Sequence, residues 1–420
     1  MTVKSLRLLA PRLATFRAFS DPSFRLLWAG GCFWYIARMM EMTVLAWLVL
    51  DLTNSPAKVA YVGFFRMLPM FLLGTLAGSI ADRFAKRSIL IMSQAICVAS
   101  GGWILVMLLL GQIAPWQGYL AIFMTGIANA LDFSTRRAYY SEIMPPDRLV
   151  NSISLDMASM TGGSMVGPVL GGILIAVAGF SGAYVAMVGM YAACLLLVFL
   201  TRSAAAGAAK RVMQSPFAQV ASAVSLVRGN RLLWAVLLVT IALNFFIAPF
   251  MALISVIARD SLHTNEVLYG VLSSASGLGA LTGSLIIASK GVTRPATLYT
   301  LGAAAFMGSV CLFALSTVYA FSLLVLIGAG LGMAGFGTMQ TTLALQAVGP
   351  EHRGRALGAI AFGIGASPLG ILVAGYLAES MGTPVSLALM AGSGVVCALG
   401  LWFLFPELRD VHSRTSASGG

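Results

Sequence analysis

The sequence predicts an all-α integral membrane protein whose twelve transmembrane helices form two pseudo-symmetric six-helix bundles. Three observations carry that expectation: the composition, the spacing of the apolar runs, and a repeat that relates the two halves. Of 420 residues, 59% are hydrophobic and 10% charged, against roughly 25% charged in soluble domains. With a mean hydropathy of +0.91, the composition excludes a soluble enzyme, a disordered chain and a disulfide-stapled secreted domain. The net charge of +12 lies between apolar runs and forms no patch, which argues against nucleic-acid binding. The five cysteines stand singly in apolar runs and only three histidines occur, so neither a metal site nor a cofactor is expected.

A membrane-spanning helix needs about 20 mostly apolar residues. Such runs fall at 26–50, 58–80, 88–111, 117–138, 153–178 and 182–201, then at 232–257, 267–289, 297–315, 319–346, 356–378 and 385–405. Strands of a barrel would alternate over about 10 residues, and these do not. Residues 1–25 read as a basic cytoplasmic arm on the membrane surface. The six-helix bundles span 26–201 and 231–405, joined by a cytoplasmic loop at 202–230, and 406–420 form a cytoplasmic tail. With the N-terminus inside, cytoplasmic segments hold 22 of the 26 Lys and Arg, and the external loops only Lys58 and Arg259. That asymmetry orients both termini to the cytoplasm. The halves echo each other: "GSIADRFAKRS" with "GSLIIASKGVTR", "PPDRLVNSIS" with "GPEHRGRALG", and "VGPVLGG" with "ASPLGI". Paired six-helix repeats suit a transporter that rocks around a central site.

Two motifs sharpen the reading. Between spans 2 and 3, "GSIADRFAKR" places Gly78, Asp82, Arg83, Lys86 and Arg87 in the register of a gating latch. The glycine permits close helix contact, the acid favours a helix N-terminus, and the basic residues can bridge to acids on neighbouring helices. In span 5, "GGSMVGPVLGG" sets Gly163, Gly167, Pro168, Gly171 and Gly172 along one helix. Pro168 removes a helix hydrogen bond and permits a kink, and the glycines offer a smooth face to another helix.

Both motifs resemble those of the major facilitator superfamily over nearly the whole chain. The first is similar to its G-x-x-x-D-R-x-x-R-R/K loop, the second to the G-x-x-x-G-P-x-x-G-G stretch of its exporters. "FRLLWAG", "LAWLVLDLTNS" and "ALDFSTRRAYYSEIMPPDRLVNSISL" resemble the transmembrane secretion effector branch, which contains enterobactin and macrolide exporters. That branch has Asp-x-Pro-x-Arg where this chain has Asp132-Phe133-Ser134-Thr135-Arg136. The arginine that many drug/proton antiporters carry at the start of helix 4 is also absent, so their coupling mechanism is not carried over. The resemblance implies the major facilitator fold, a monomer, a bacterial cytoplasmic (inner) membrane, and pairing of Asp132 with latch arginines such as Arg83 or Arg87. Asp132 and Arg136, at i and i+4 near the cytoplasmic end of span 4, join the latch as gating candidates.

An ionisable group inside a span costs at least ~2.5–3.5 kcal/mol and is a functional candidate. Arg38 and Glu41 share a face of helix 1, and Arg66 lies in helix 2. Glu41 is ~15 Å and Arg66 ~12 Å from the outer surface at 1.5 Å per residue. The expectation is a buried Arg38–Glu41–Arg66 cluster facing the central cavity. Glu41 is then a protonation switch, pulled in opposite directions by burial and by the arginines, or the surplus arginine charge attracts an anionic substrate, or the cluster is a static tie between helices. In the second half, Asn244 and Gln340 are the polar candidates among aromatic and Met-rich walls.

These readings converge on a secondary exporter of small amphipathic molecules, siderophore-like or drug-like, working by alternating access with proton antiport. Its partners are substrate, protons and membrane lipids. An uptake permease or uniporter for a small organic anion is the alternative, and a non-transporting sensor a remote one. No G-x-x-x-x-G-K-[ST] occurs, so an ATP-driven pump is not expected.

Overall fold

The computed structural model describes residues 17–201, 226–349 and 352–409, with side chains at 17, 74–83, 146 and 354 outside the description. Among the described residues the regular structure is helical, and no strand occurs. The N-terminal half holds α1 (Pro22–Thr53), α2 (Pro56–Arg83), α3 (Lys86–Leu109) and α4 (Pro115–Ile143). A long run, Pro146–Leu200, follows. It breaks at Gly179 (φ 67°, ψ −174°), a conformation that glycine adopts without a Cβ penalty. The break separates α5 (146–178) from α6 (180–200). The second half holds α7 (Arg231–Val256), α8 (Glu266–Lys290), α9 (Pro295–Ala314), α10 (Tyr319–Gln346), α11a (Arg353–Ile364), α11b (Ser367–Met381) and α12 (Thr383–Leu404).

Local chemistry explains the boundaries. Proline stands in the first turn of α1, α4, α5, α9, α11b and α12, where its missing N–H is no loss. Asp21 caps α1, accepting from Ser23 N at 2.8 Å and Phe24 N at 3.0 Å. Helix α1 therefore starts four residues before the expected span, and Ala18, Phe24 and Leu27 are fully buried. The end of the expected surface arm is thus packed into the bundle; residues 1–16 lie outside the description. Asn230 and Asn265 cap α7 and α8 by accepting from Leu233 N and Leu268 N. Asn54 closes α1 in the left-handed region (φ 48°), which asparagine tolerates.

Among the described residues, ten helices are long and apolar enough to cross a membrane, Asp147–Leu200 being one of them. Helix α4 spans 29 residues but is not among the ten, because Thr125, Asn129, Asp132 and Ser134 dilute its apolar stretch before the arginines begin. Reading twelve crossings therefore means counting α4 and dividing the long run at Gly179. Val177 (81% exposed) and Leu404 (71%) sit on the outer surface; such side chains belong against lipid. The protein is a multi-pass membrane protein.

The packing repeats between halves. Helix α1 lies along the α5–α6 run, α2 against α4, and α3 against α4 and the α5–α6 run; correspondingly α7 packs on α11b and α12, α8 on α10, and α9 on α10 and α12. Between halves, α5 meets α8 and α2 meets α11b, the same pair exchanged by the pseudo-two-fold. The echo in sequence is physical. Gly167-Pro168 faces α1 at the Ile36 carbonyl, and Ser367-Pro368 faces α7, where Ser367 Oγ donates to Asn244 Oδ1 at 3.1 Å.

Candidate functional site

Helix α1 lines up Trp34, Arg38 and Glu41 on one face by their i, i+4, i+7 spacing. Glu41 is 2% exposed. Its Oε2 lies 3.9 Å from Arg66 Nη1 on α2 and accepts from the Tyr191 hydroxyl on α6 at 3.1 Å. Arg38 does not join it. Its guanidinium donates to the Asn129 side-chain oxygen on α4 and lies 5.1 Å from the Trp34 ring centroid. Helical side chains lean toward their own N-terminus, so Arg38 folds back over Trp34 and away from Glu41. Arg66 ties the two levels together, donating to the Arg38 carbonyl at 3.3 Å. The expected three-residue cluster is thus an ion pair plus a separate arginine. Glu41 is turned toward α6 of its own half.

A second buried group lies nearer the chain termini. Asp132, fully buried, takes both arms of Arg136, at 2.8 Å from Nε and 2.9 Å from Nη2, and a third bond from Gln94 Nε2 at 2.9 Å. Arg136 also donates to the Leu27 carbonyl at 3.2 Å and stands 5.5 Å from the Trp34 centroid. Bidentate geometry with a satisfied remainder is what makes a buried ion pair tolerable. The expected partnership of Asp132 with Arg87 is not formed. Arg87 instead donates to the Phe199 carbonyl at the end of α6, 5.2 Å from that ring. Lys86 pairs with Glu142 of α4 at 2.7 Å. The side chains of Asp82 and Arg83 and the surroundings of Gly78 lie outside the description, so the rest of the expected latch does too.

Asp156, an acid near the start of span 5, is not among the candidates that the sequence singles out. In the fold it is 1% exposed and accepts from Tyr35 on α1 and Tyr140 on α4, each at 3.0 Å. Gln94, Asn129 and Tyr191 were likewise missed. Each is a polar residue within an apolar run, and that is the signal that marks them; their partners come from other helices.

In the second half, Gln340 Nε2 donates to Thr240 Oγ1 at 3.0 Å, with the Tyr299 hydroxyl 2.8 Å from the same oxygen. Asn244 donates to the Thr240 carbonyl at 2.9 Å. Asn244 and Gln340 thus come together around Thr240, joining α7 to α9, α10 and α11b. The glycine motif divides its contacts. Gly163, Gly167 and Gly171 bring α5 against Tyr35, Ile36, Met40 and Val44 of α1, whereas Gly172 meets the Glu266 carbonyl of α8. Reciprocally, Gly270 of α8 lies on the Pro168 carbonyl. The helix continues through Pro168 and breaks at Gly179.

Buried charge on α1, α2 and α4, a glycine-proline helix at the interface between halves, and paired six-helix packing set this chain beside known families. The family model of transmembrane secretion effectors matches residues 13–419. The chain belongs to that family. It is a transporter of the major facilitator superfamily, not an enzyme. It is 21% identical over 397 residues to macrolide efflux protein A of Streptococcus pyogenes, covering 93% of this chain and 98% of that one. It is 24% identical over 359 residues to the enterobactin exporter EntS of Salmonella choleraesuis, covering 83% and 84%. A bacterial homolog of the human lysosomal transporter Spinster, solved inward-facing and unoccupied, superposes with a TM-score of 0.72 at 13% identity, covering 92% of this chain and 96% of that one. That likeness establishes the fold.

In this transporter the hydrogen bonds between halves gather, among the described residues, at the end holding the α1–α2 connection. Glu379 Oε2 of α11b accepts from Ser55 Oγ at 2.8 Å and Ala57 N at 3.2 Å, at the N-terminus of α2. Arg259 donates to the Leu50 carbonyl near the C-terminus of α1 at 3.1 Å. Trp47 of α1 stacks on Tyr269 of α8 with centroids 5.0 Å apart. Both charges oppose the helix dipole they face.

Proposed function

We propose that this transporter exports small amphipathic molecules across a bacterial cytoplasmic membrane by alternating access, driven by proton entry, with both termini cytoplasmic. The observation that carries the reading is the setting of Glu41: a carboxylate buried in mid-span, 3.9 Å from one guanidinium and otherwise held only by the neutral hydroxyls of Tyr191 and Thr125 among the described residues. An intramembrane acid so lightly compensated is a natural proton acceptor. Ionised, it holds Arg66 and so ties α2 to α1 and α6. A proton on Glu41 removes the anion that Arg66 faces and loosens α2. Because α2 is also seated on α11b of the other half, the change reaches the contact between halves. Closure at the α1–α2 end, external by the basic-residue asymmetry, corresponds to a form open toward the cytoplasm. Asp132 and Arg136, with the latch residues, act in gating.

The test uses purified transporter in liposomes with an entrapped pH dye and a panel of siderophores, macrolides and cationic dyes. Substrate-triggered proton movement that is lost in Glu41→Gln supports antiport. Substrate flux without proton movement, unchanged in the mutant, sinks it. Arg38 favours a second reading, facilitated movement of an organic anion, and flux direction in oriented vesicles separates the two.

A further inference from the structure

The surplus cation identified above has a definite place. Three buried acids lie on α1, α4 and α5, and each is engaged: Glu41 by Arg66 and Tyr191, Asp132 by Arg136 and Gln94, Asp156 by Tyr35 and Tyr140. Arg38 has no carboxylate partner among the described residues. It is held by a neutral amide and an indole face, and its Nε is a buried donor with no hydrogen-bond partner. Removing a cation from water without an anion is costly, and an indole face returns only ~0.5–2 kcal/mol.

Two further facts suit a ligand. Arg38 is half-buried, unlike the sealed Arg136. Its level also lies beside the closed part of the interface. Gly63, one turn from Arg66 toward the α1–α2 end, would place a Cβ 2.8 Å from Ala252 of α7. The two halves thus meet one turn beyond Arg66, on the side of the α1–α2 connection.

We propose that Arg38, positioned by Asn129 and Trp34, binds the anionic group of the transported molecule, and that the substrates are amphipathic organic acids carrying a carboxylate or comparably ionised oxygen on an apolar body. The planar guanidinium suits such a group, and Trp34 offers the apolar body an aromatic surface. The inference rests on the reading of this chain as a transporter of small amphipathic molecules. It does not require proton coupling.

The experiment compares 1-naphthoate with its neutral isostere 1-naphthamide by calorimetry. The transporter is held in phosphatidylcholine nanodiscs, with empty discs as the blank. A charge-assisted hydrogen bond in a site of low polarity predicts at least about tenfold preference for the anion. Arg38→Gln brings the ratio close to one. Arg38→Lys retains part of it, and Gly308→Ala, a substitution into open space on α9, leaves it in place. Equal binding of both probes to the wild type, or no binding of either, overturns the proposal even if no variant folds. A preference that survives in Arg38→Gln overturns it as well. Displacement of naphthoate when phosphatidylglycerol replaces part of the lipid assigns Arg38 to a headgroup instead, and also overturns it. Since binding is read without flux, failure here and failure of proton coupling are separate results.

Discussion

Asp132→Asn removes the anion beneath a guanidinium that is 1% exposed. Three donors converge on Asp132 at 2.8–2.9 Å, and an asparagine leaves one oxygen for them while its NH2 faces the cation. Two magnitudes compete. If these were ordinary interhelical hydrogen bonds in a membrane, at ~0.6 kcal/mol each, the loss would stay under about 2 kcal/mol. If the governing effect is an uncompensated buried charge, it reaches about 3–5 kcal/mol. The burial of Arg136 favours the larger value, and Asp156, the other carboxylate near it, already accepts from Tyr35 and Tyr140. The assay is unfolding in mixed micelles by SDS titration, followed by tryptophan fluorescence, since Trp34 lies beside Arg136. Asp132→Asn and Arg136→Gln should each lower stability by about 3–5 kcal/mol. Together they should cost at least about 2 kcal/mol less than the sum, because removing both charges leaves none uncompensated. A single-variant loss near 1 kcal/mol, or strict additivity, would refute this account of the pair.

Three further outcomes follow from the geometry. Glu379→Ala deletes the acceptor for Ser55 and Ala57. The site is exposed, so about 1 kcal/mol, or roughly a fivefold shift toward the form open at the α1–α2 end, is expected; spin-label distances across that end should report it, and unchanged populations would deny the contact a state-specific role. Gly270→Ala sets a Cβ against the Pro168 carbonyl, whereas Gly308 has open space around it. The first substitution should cost about 1–3 kcal/mol in the same SDS titration, with Gly308→Ala near neutral. Thr240→Val leaves the buried Gln340 amide without its acceptor and should cost about 1–3 kcal/mol, while Thr240→Ser should recover most of it.

The sequence alone determined that the chain lives in a membrane, because apolar runs of 20 residues with few charges have no other stable setting. It also determined the orientation expected from Lys and Arg, and the family, through glycine, proline and charge at fixed spacing along single helices. Those features are local, so they survive in one dimension. What only the tertiary structure decided is which charge meets which. Arg38 and Glu41 share a helix face, yet the neighbouring helices give one to Trp34 and Asn129 and the other to Arg66 and Tyr191. Asp132 turned to Arg136 on its own helix and to Gln94 on α3, leaving Arg87 to a carbonyl of α6. Asp156 found Tyr35 at a separation of 121 residues. Pairings of this kind depend on how six helices cross, and no spacing along the chain encodes a crossing. A buried charge takes the partner that packing brings within reach, and packing is settled by the whole bundle.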